Sequence, residues 1–350
     1  MEECPSGRRG PTRNRLREVT PPFGGSNPSS SAFIVNMKKK NRKLAILQIL
    51  EASKEPISGE NLGKLLGISR TAVWKNIQQL KKAGYNIVST PRGYLLMSSD
   101  ELCKESFEDL PVKVFCFDSL DSTMSFARKL GEKGEEALVI AETQTQGRGR
   151  LGRDWKSPKG GLWMSFVIKK RMSLKDAFFL TYAASIATAE AVTQVTEIPA
   201  FVKWPNDVLV KEGKKEKKLA GILLELSAEV DELKYAVIGI GINANNPISH
   251  LEPGATSIKE LKGFPVNRYT LVKTLVNILF DLLKLSPVEV VKLWKKKSLT
   301  LGRSVKIIQP QGELIGIAID IADDGALVLQ TPEMEIKKIY SGDCIHATLI

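Results

Sequence analysis

Gln144-Thr-Gln-Gly-Arg-Gly-Arg-Leu-Gly-Arg153 sets three arginines (Arg148, Arg150, Arg153) among three glycines (Gly147, Gly149, Gly152) within seven residues. Glycine lets the backbone take positive φ and lets a ligand approach the amides. Arginine adds planar, permanently charged donors suited to phosphate or carboxylate. Together they describe a mobile loop that closes over an anion, so the fold must present this loop at a cleft. The stretch also spells Gly-x-Gly-x-x-Gly. A dinucleotide fingerprint would need a helix opening directly after it, but Asp154-Trp-Lys-Ser-Pro-Lys-Gly-Gly161 cannot be helical. A kinase glycine loop would need His-Arg-Asp and Asp-Phe-Gly elsewhere. Neither occurs, and the only histidines are His250 and His346.

The flanking sequence reads as alternating strands and helices. Val112-Lys-Val-Phe-Cys-Phe alternates like a strand, and Ser122 or Thr123 would cap a helix over Met124–Leu130. Ala137–Glu142 is a strand feeding the arginine loop, Leu162–Ile168 is another, and a helix over 173–195 follows. In Phe201-Val-Lys-Trp-Pro-Asn-Asp-Val-Leu-Val, Pro205 breaks a strand and gathers Lys203, Asn206 and Asp207 at the break. Lys211–Lys218 is a charged hairpin tip leading into Leu219-Ala-Gly-Ile-Leu-Leu-Glu-Leu. Gly221 permits close approach there, and Lys218 stands at the mouth of that strand. Tyr235–Asn245 alternates apolar residues with Gly239 and Gly241, a strand against which something flat could lie. Helices at 267–285 and 287–297 come next. Five short strands then close the chain (Val305–Ile308, Leu314–Ile321, Ala326–Gln330, Glu335–Ile339, Ile345–Thr348), as in a small SH3-like barrel.

At the other end, residues 1–36 hold five prolines and no apolar periodicity. They are expected to be an unstructured upstream extension, with Met37 reading as a natural start. A first helix follows from Leu44, a second is capped by Ser58, and Gly67 turns into a third, capped by Ser69 and ending at Gly84. Two short strands flank Thr90-Pro91-Arg92. Helix, helix, turn, helix, hairpin is a winged helix-turn-helix. Ser69, Arg70, Thr71 and Lys75 would face DNA bases, with Lys81, Lys82 and Arg92 on phosphates. Ser98-Ser-Asp-Glu is a linker.

Composition sets the bounds. The chain has 350 residues, enough for two or three domains. Net charge is +12, of which +7 falls in residues 1–43, so the body is only mildly basic. Cys4, Cys103, Cys116 and Cys344 are scattered, which argues against a zinc site or disulfide framework. No signal peptide is evident, and the run Ala177–Val192 is too interrupted by polar residues to span a membrane. A cytoplasmic protein is expected. No Ser-His-Asp triad, metal cluster or paired acid is visible. Arginines, amides, one lysine and one aspartate fit phosphoryl or nucleotidyl transfer, where positioning and electrostatics do most of the work.

Six motifs in order carry a resemblance. They are Asp121-Ser-Thr, Gln144 to Trp155, Ser157-Pro-Lys-Gly-Gly-Leu-Trp, Lys203-Trp-Pro-Asn-Asp207, Lys218-Leu-Ala-Gly-Ile-Leu-Leu-Glu and Gly239-Ile-Gly-Ile-Asn243. This set resembles the biotin–protein ligases. With a winged helix in front and a small barrel behind, it resembles the bifunctional form, ligase and biotin operon repressor, over about residues 40–350. The resemblance implies an α+β chain with a central mixed-sheet domain like the class II synthetases. The implied division is a disordered extension 1–37, a winged helix-turn-helix 38–98, a catalytic domain 100–300 and an SH3-like domain 301–350. It implies biotin and ATP as substrates, with Mg2+, biotinyl-5′-AMP as intermediate, and a lysine of biotin carboxyl carrier protein as acceptor. Operator DNA and an adenylate-bound homodimer are the other implied partners.

Carried over by position, the resemblance places Ser122, Thr123, Met124, Gln144, Arg148, Gly149, Arg150 and Lys218 on biotin. Gly161, Leu162, Trp163, Gly221 and Leu223 would wall the pocket. Arg150, Arg153, Trp155, Lys203, Asn206, Asp207 and Asn243 fall at ATP or adenylate, Asp207 also near Mg2+, and Arg150, Arg153 and Lys218 act on developing charge. Met124 stands where some relatives carry Asn, so a backbone contact is expected there. A lipoate or octanoate ligase and a non-catalytic ligand-sensing transcription factor are the competing readings.

Overall fold

A computed structural model describes residues 42–53, 55–82, 85, 87–96, 102, 107–229 and 232–346. The expected extension, the start at Met37, the linker after Ser98, Cys4, Cys103 and the end of the third helix at Gly84 lie outside the described residues.

Three helices and a hairpin form the N-terminal unit: α1 (Arg42–Ala52), α2 (Gly59–Leu66), α3 (Arg70–Lys82), β1 (Ile87–Thr90) and β2 (Gly93–Leu96). Ser58 caps α2 by accepting from the Asn61 amide, and Gly67 ends it at φ +63°. Ser69 Oγ accepts from the Ala72 amide at 3.1 Å and so starts α3. Helical spacing then puts Val73, Ile77 and Leu80 into a core with Ile46, Leu50 and Leu62.

The central sheet has seven strands in the order β3-β4-β5-β9-β8-β7-β6. They are β3 (Val114–Phe117), β4 (Ala137–Ala141), β5 (Leu162–Ile168), β6 (Ala200–Lys203), β7 (Asp207–Glu212), β8 (Lys215–Glu229) and β9 (Glu232–Ile242). β3 and β4 run parallel and every other pairing among them is antiparallel. Alternation along the strands splits the core in two. Leu138 and Ile140 of β4, with Ile238 and Ile240 of β9, face α5 (Phe178–Thr196). Ala137 and Val139, with Tyr235 and Val237, face α4 (Thr123–Glu132). Further along the α4 face of β9 the bulky residues give way to Gly239 and Gly241. That change opens a cleft where packing would otherwise continue.

The α5 side is closed by α7 (Arg268–Leu282) and α8 (Pro287–Lys297), with α6 (Ile258–Lys262) beside them in the chain. Arg268, 1% exposed, donates to both carboxylate oxygens of Glu142 at 2.9 and 3.0 Å, and to the Gly161 carbonyl at 2.8 Å. It ties the end of β4 to the start of β5 beneath the arginine loop. A buried charge is tolerated only with partners of this quality.

Several boundaries differ from the sequence expectation. The helix expected over 173–195 starts at Phe178. Ser173 instead opens a short 3-10 turn, Leu174–Asp176, and its hydroxyl bonds Asp176. The tip Lys211–Lys218 is mostly strand, because β7 and β8 pair as far as Glu212↔Lys215. Helix α6 went unread although Ser257 and Glu260 form a capping box.

The C-terminal strands are β10 (Ser304–Gln309), β11 (Gly312–Ile321), β12 (Leu327–Gln330), β13 (Ile336–Ile339) and β14 (Asp343–His346). They form an antiparallel sheet in the order β13-β12-β11-β10-β14. The last strand begins two residues before the expected Ile345, because Asp343 already pairs with Ile308. No described helix is long and apolar enough to cross a membrane.

Candidate active site and DNA-facing surface

A cleft of about 1970 Å³ lies over the glycine face of β8 and β9 and gathers most of the residues singled out from sequence. Its inner end is built on the start of α4. Ser122, not Thr123, is the cap, accepting from the Ser125 amide. Thr123 is thereby free for another role. Its amide and hydroxyl both donate to Gln144 Oε1, at 2.8 and 3.0 Å, and its hydroxyl accepts from Ser165. Gln144 Nε2 in turn donates to Ser157 Oγ at 2.8 Å. This network fixes which way the amide and hydroxyls point, and Ser157 and Ser165 were not foreseen from sequence.

Something flat does lie against Gly241: the indole of Trp155. A Cβ added at Gly241 would sit 2.5 Å from Trp155 Nε1, and one at Gly221 would sit 2.9 Å from the same ring. Side chains at either position would evict the indole. Lys218 Nζ lies 5.2 Å from its centroid, and Trp163 meets it edge-on. Trp155 Nε1 is buried with no hydrogen-bond partner among the described residues. Met124 lines the cleft, with its side chain against Gly239.

The arginine stretch is a tight hairpin, held by Trp155 N to Gly147 O and Gly149 N to Arg153 O, with Leu151 and Gly152 at positive φ at the tip. Arg150 donates to Asn206 Oδ1 and to the Gly342 carbonyl, both at 3.2 Å. Arg153 pairs with Asp343. Burial lowers the Arg150 pKa from its ordinary value, while Asp343 and Asp207 push the other way. Lys218 Nζ is 2.7 Å from Asp207 Oδ1. Asp207 follows the tight Trp204-Pro205-Asn206 turn, which joins β6 to β7. Lys203, Arg148, Gly149, Leu223 and Asn243 also line the cleft, and Asn243 accepts from Asn246 Nδ2 at 3.0 Å.

Two expected wall residues are not there. Gly161 and Leu162 do not line the cleft, whereas Trp163 does. Leu162 is wholly buried in the α5-side core, and the Gly161 carbonyl is engaged by Arg268. The C-terminal sheet was not expected at the site at all, yet Asp343, Ile345, His346 and Ile308 line it. His346 Nδ1 lies 2.9 Å from Glu216, and its Nε2 lies 3.1 Å from Thr300 Oγ1, which also accepts from the Trp204 amide. Burial pushes the His346 pKa below its ordinary value against the pull of Glu216. No group of three or more metal-ligating side chains occurs among the described residues.

On the N-terminal unit, Arg70, Thr71, Lys75 and Lys82 lie exposed on α3, and Arg92 is exposed in the β1–β2 turn. Lys81 reaches Ser89 Oγ at 3.1 Å, which leaves it half-buried. Trp74, unremarked in the sequence, is 51% exposed on the same helix.

A cationic hairpin over a glycine-floored cleft, joined to a helix-turn-helix, suits a protein that neutralises an anionic ligand, and comparison with known proteins gives its class: a protein ligase with an HTH domain. Residues 114–243 match the biotin/lipoate A/B protein ligase family, 42–95 an HTH domain, and 300–347 the biotin protein ligase C-terminal domain. The bifunctional ligase/repressor BirA of Bacillus subtilis is 34% identical over 327 residues, covering 88% of this chain and 99% of its own. That of Escherichia coli K12 is 33% identical, covering 84% and 94%. The biotin protein ligase of Aquifex aeolicus, solved with biotin and ATP, superposes with a TM-score of 0.56 at 31% identity, covering 67% of this chain and 98% of its own. The chain belongs to the bifunctional biotin ligase/repressor family.

Proposed function

We propose that the protein joins biotin to ATP as biotinyl-5′-AMP, transfers the biotinyl group to a lysine of biotin carboxyl carrier protein, and represses transcription in response to biotin. The observation that carries this reading is the convergence of Arg150, Arg153 and Lys218 above the glycine floor of β8 and β9. Biotin's carboxylate is a weak nucleophile facing an anionic triphosphate, so both must be neutralised away from water. A carboxylate oxygen attacks the α-phosphorus and pyrophosphate leaves. The acceptor amine then attacks the acyl carbonyl, and an amide forms with release of AMP and a proton.

Ser122, Thr123, Met124, Gln144, Arg148, Gly149, Lys218, Gly221 and Leu223 would hold biotin, and Trp155 would serve the adenylate. The unpartnered Trp155 Nε1 is a donor available to a ligand acceptor. Arg153 would exchange Asp343, and Arg150 its Asn206 and Gly342 contacts, for phosphate oxygens, while Lys203, Asn206 and Asn243 serve the nucleotide. Mg2+ favours one or two carboxylates plus substrate phosphates, so Asp207 is the residue that would hold it, where it would neutralise phosphate charge.

The chain would divide into an extension 1–37, a winged helix-turn-helix 38–98, a catalytic domain 100–300 and a C-terminal domain 301–350 curled as an SH3-like barrel. Work in the cytoplasm accords with this activity. Dimerisation has a candidate edge: from Leu223 to Glu229, β8 pairs with β9 alone among the described residues, because β7 stops at Asp207↔Gly221 and Asn206 engages both the amide and the carbonyl of Ile222. Such a half-open edge invites strand addition from a second copy.

Incubation with ATP, labelled biotin and a carrier domain should label the carrier and release pyrophosphate. Release with lipoate or octanoate alone would make the protein a ligase for those acids. Release with none of them would leave a ligand-sensing transcription factor.

A further inference from the structure

Three hydrogen bonds in a row link the C-terminal sheet to the turn between β6 and β7. The Trp204 amide donates to Thr300 Oγ1 at 3.0 Å, Thr300 Oγ1 lies 3.1 Å from His346 Nε2, and His346 Nδ1 lies 2.9 Å from Glu216 Oε2. The other carboxylate oxygen of Glu216 is held by Arg303 at 2.6 Å. Thr300 is wholly buried and the His346 side chain is only 7% exposed, so water competes little for these bonds.

The chemistry of the groups fixes the direction of the chain. Burial would raise the Glu216 pKa, but His346 and Arg303 outweigh it, and the carboxyl titrates below its ordinary value. An ionised carboxylate can only accept, so His346 Nδ1 carries the proton and donates. Burial holds the His346 pKa below its ordinary value against the pull of Glu216. The imidazole is therefore neutral at neutral pH, and its Nε2 is an acceptor. Thr300 must then donate its hydroxyl to Nε2 while its oxygen accepts from Trp204. The ring sets the hydroxyl, and the hydroxyl holds the amide.

The turn that begins at Trp204 is clamped at its other shoulder by Ile222. The Ile222 amide donates to the Asn206 carbonyl at 2.9 Å, and its carbonyl accepts from Asn206 Nδ2 at 2.6 Å. Between the two clamps the turn presents its charged contacts: Asn206 Oδ1 receives Arg150 at 3.2 Å, and Asp207 Oδ1 receives Lys218 at 2.7 Å. Where the turn stands therefore decides where Arg150 and Asp207 stand in the cleft.

We infer that His346 is a positioning residue for adenylation: acting through Thr300, it sets the Trp204–Asp207 turn, and with it Arg150, against the nucleotide, an assignment that rests on the ligase reading. No contact between the imidazole and ATP is required. Asparagine reproduces the reach of Nδ1 and glutamine that of Nε2. His346→Asn thus keeps a donor for Glu216 and loses the acceptor for Thr300, whereas His346→Gln keeps that acceptor.

The test is pyrophosphate release by the full chain with biotin and ATP. His346→Asn should lower kcat/KM for ATP about tenfold or more, because small misplacements of reacting groups are costly, while the KM for biotin stays unchanged. His346→Gln should recover most of the loss. Thr300→Val should match His346→Asn, Thr300→Ser should stay near wild type, and the double variant His346→Asn/Thr300→Val should lose no more than either single one. An unchanged kcat/KM for ATP in His346→Asn overturns the inference. So does an equal rise of both KM values with a lowered melting temperature, which would leave the histidine a staple of the fold. Additive losses in the double variant overturn it too. If Thr300→Val does not fold, the other pair still decides, since an equal loss in His346→Asn and His346→Gln removes Thr300 from the chain of action. If the wild type releases no pyrophosphate with biotin, the ligase reading fails instead, and the two failures are told apart.

Discussion

Arg150 touches three parts of the molecule: its own hairpin, the Asn206 turn and the Gly342 carbonyl of the C-terminal sheet. Burial lowers its pKa, but the nearby carboxylates of Asp343 and Asp207 oppose that, and a guanidinium stays charged at any working pH. It is therefore a fixed cation in a partly desolvated place, where one charge-stabilising contact is worth ~3 kcal/mol. Arg150→Ala should slow adenylate formation roughly a hundredfold and let biotinyl-adenylate escape faster. Single-turnover pyrophosphate release measures the first effect and adenylate dissociation the second. Wild-type rates in both would remove Arg150 from the machinery.

Among the elements, the β7–β8 hairpin and β14 are joined by His346, Glu216 and Arg303. Glu216 accepts from His346 and pairs with Arg303 at 2.6 Å. Burial raises the Glu216 pKa, but His346 and Arg303 outweigh it, so the carboxyl titrates below its ordinary value. The imidazole is buried too, with the positive charges of Lys203 and Arg303 near it, so it titrates below its ordinary 6.5. Between the folded and ordinary values the unfolded chain binds more protons than the folded one. Stability therefore rises with pH across that window. It is fully present above the ordinary histidine value and is lost as pH falls through the folded one. Melts at pH 5.5, 6.5 and 7.5 should show the melting temperature climbing, and His346→Asn should flatten that climb. Parallel curves for wild type and variant would show that the contact does not govern it.

For the whole molecule, one helix-turn-helix reads too few bases to find an operator, and pairing two supplies two half-sites. We propose that adenylate in the cleft orders the arginine hairpin and favours pairing at the open half of β8, so that repression follows biotin supply. Sedimentation with biotin alone, ATP alone and both together should show mass rising only with both. Operator affinity should rise in step and fall steeply with salt as α3 releases counterions. A mass and an affinity indifferent to both ligands would leave a ligase whose DNA-binding module does not regulate.

The sequence alone determined what is local in the chain. Ser58, Gly67 and Ser69 place helix ends within a few residues of themselves. The spacing of Val73, Ile77 and Leu80 defines the inner face of α3. The glycines of β9 announce a surface that something flat can cover. Folding decided what depends on strand order, because local periodicity says nothing about partners far away in the chain. Arg153 meets Asp343 across 190 residues, and Arg268 meets Glu142 across 126. Leu162 lies in a strand buried on both faces, so no alternation revealed that it points into the core, away from the cleft. That the flat thing on Gly241 is the chain's own Trp155, and that the C-terminal sheet helps to line the cleft, followed only once seven strands had taken their order and set the hairpin, the glycines and β14 side by side.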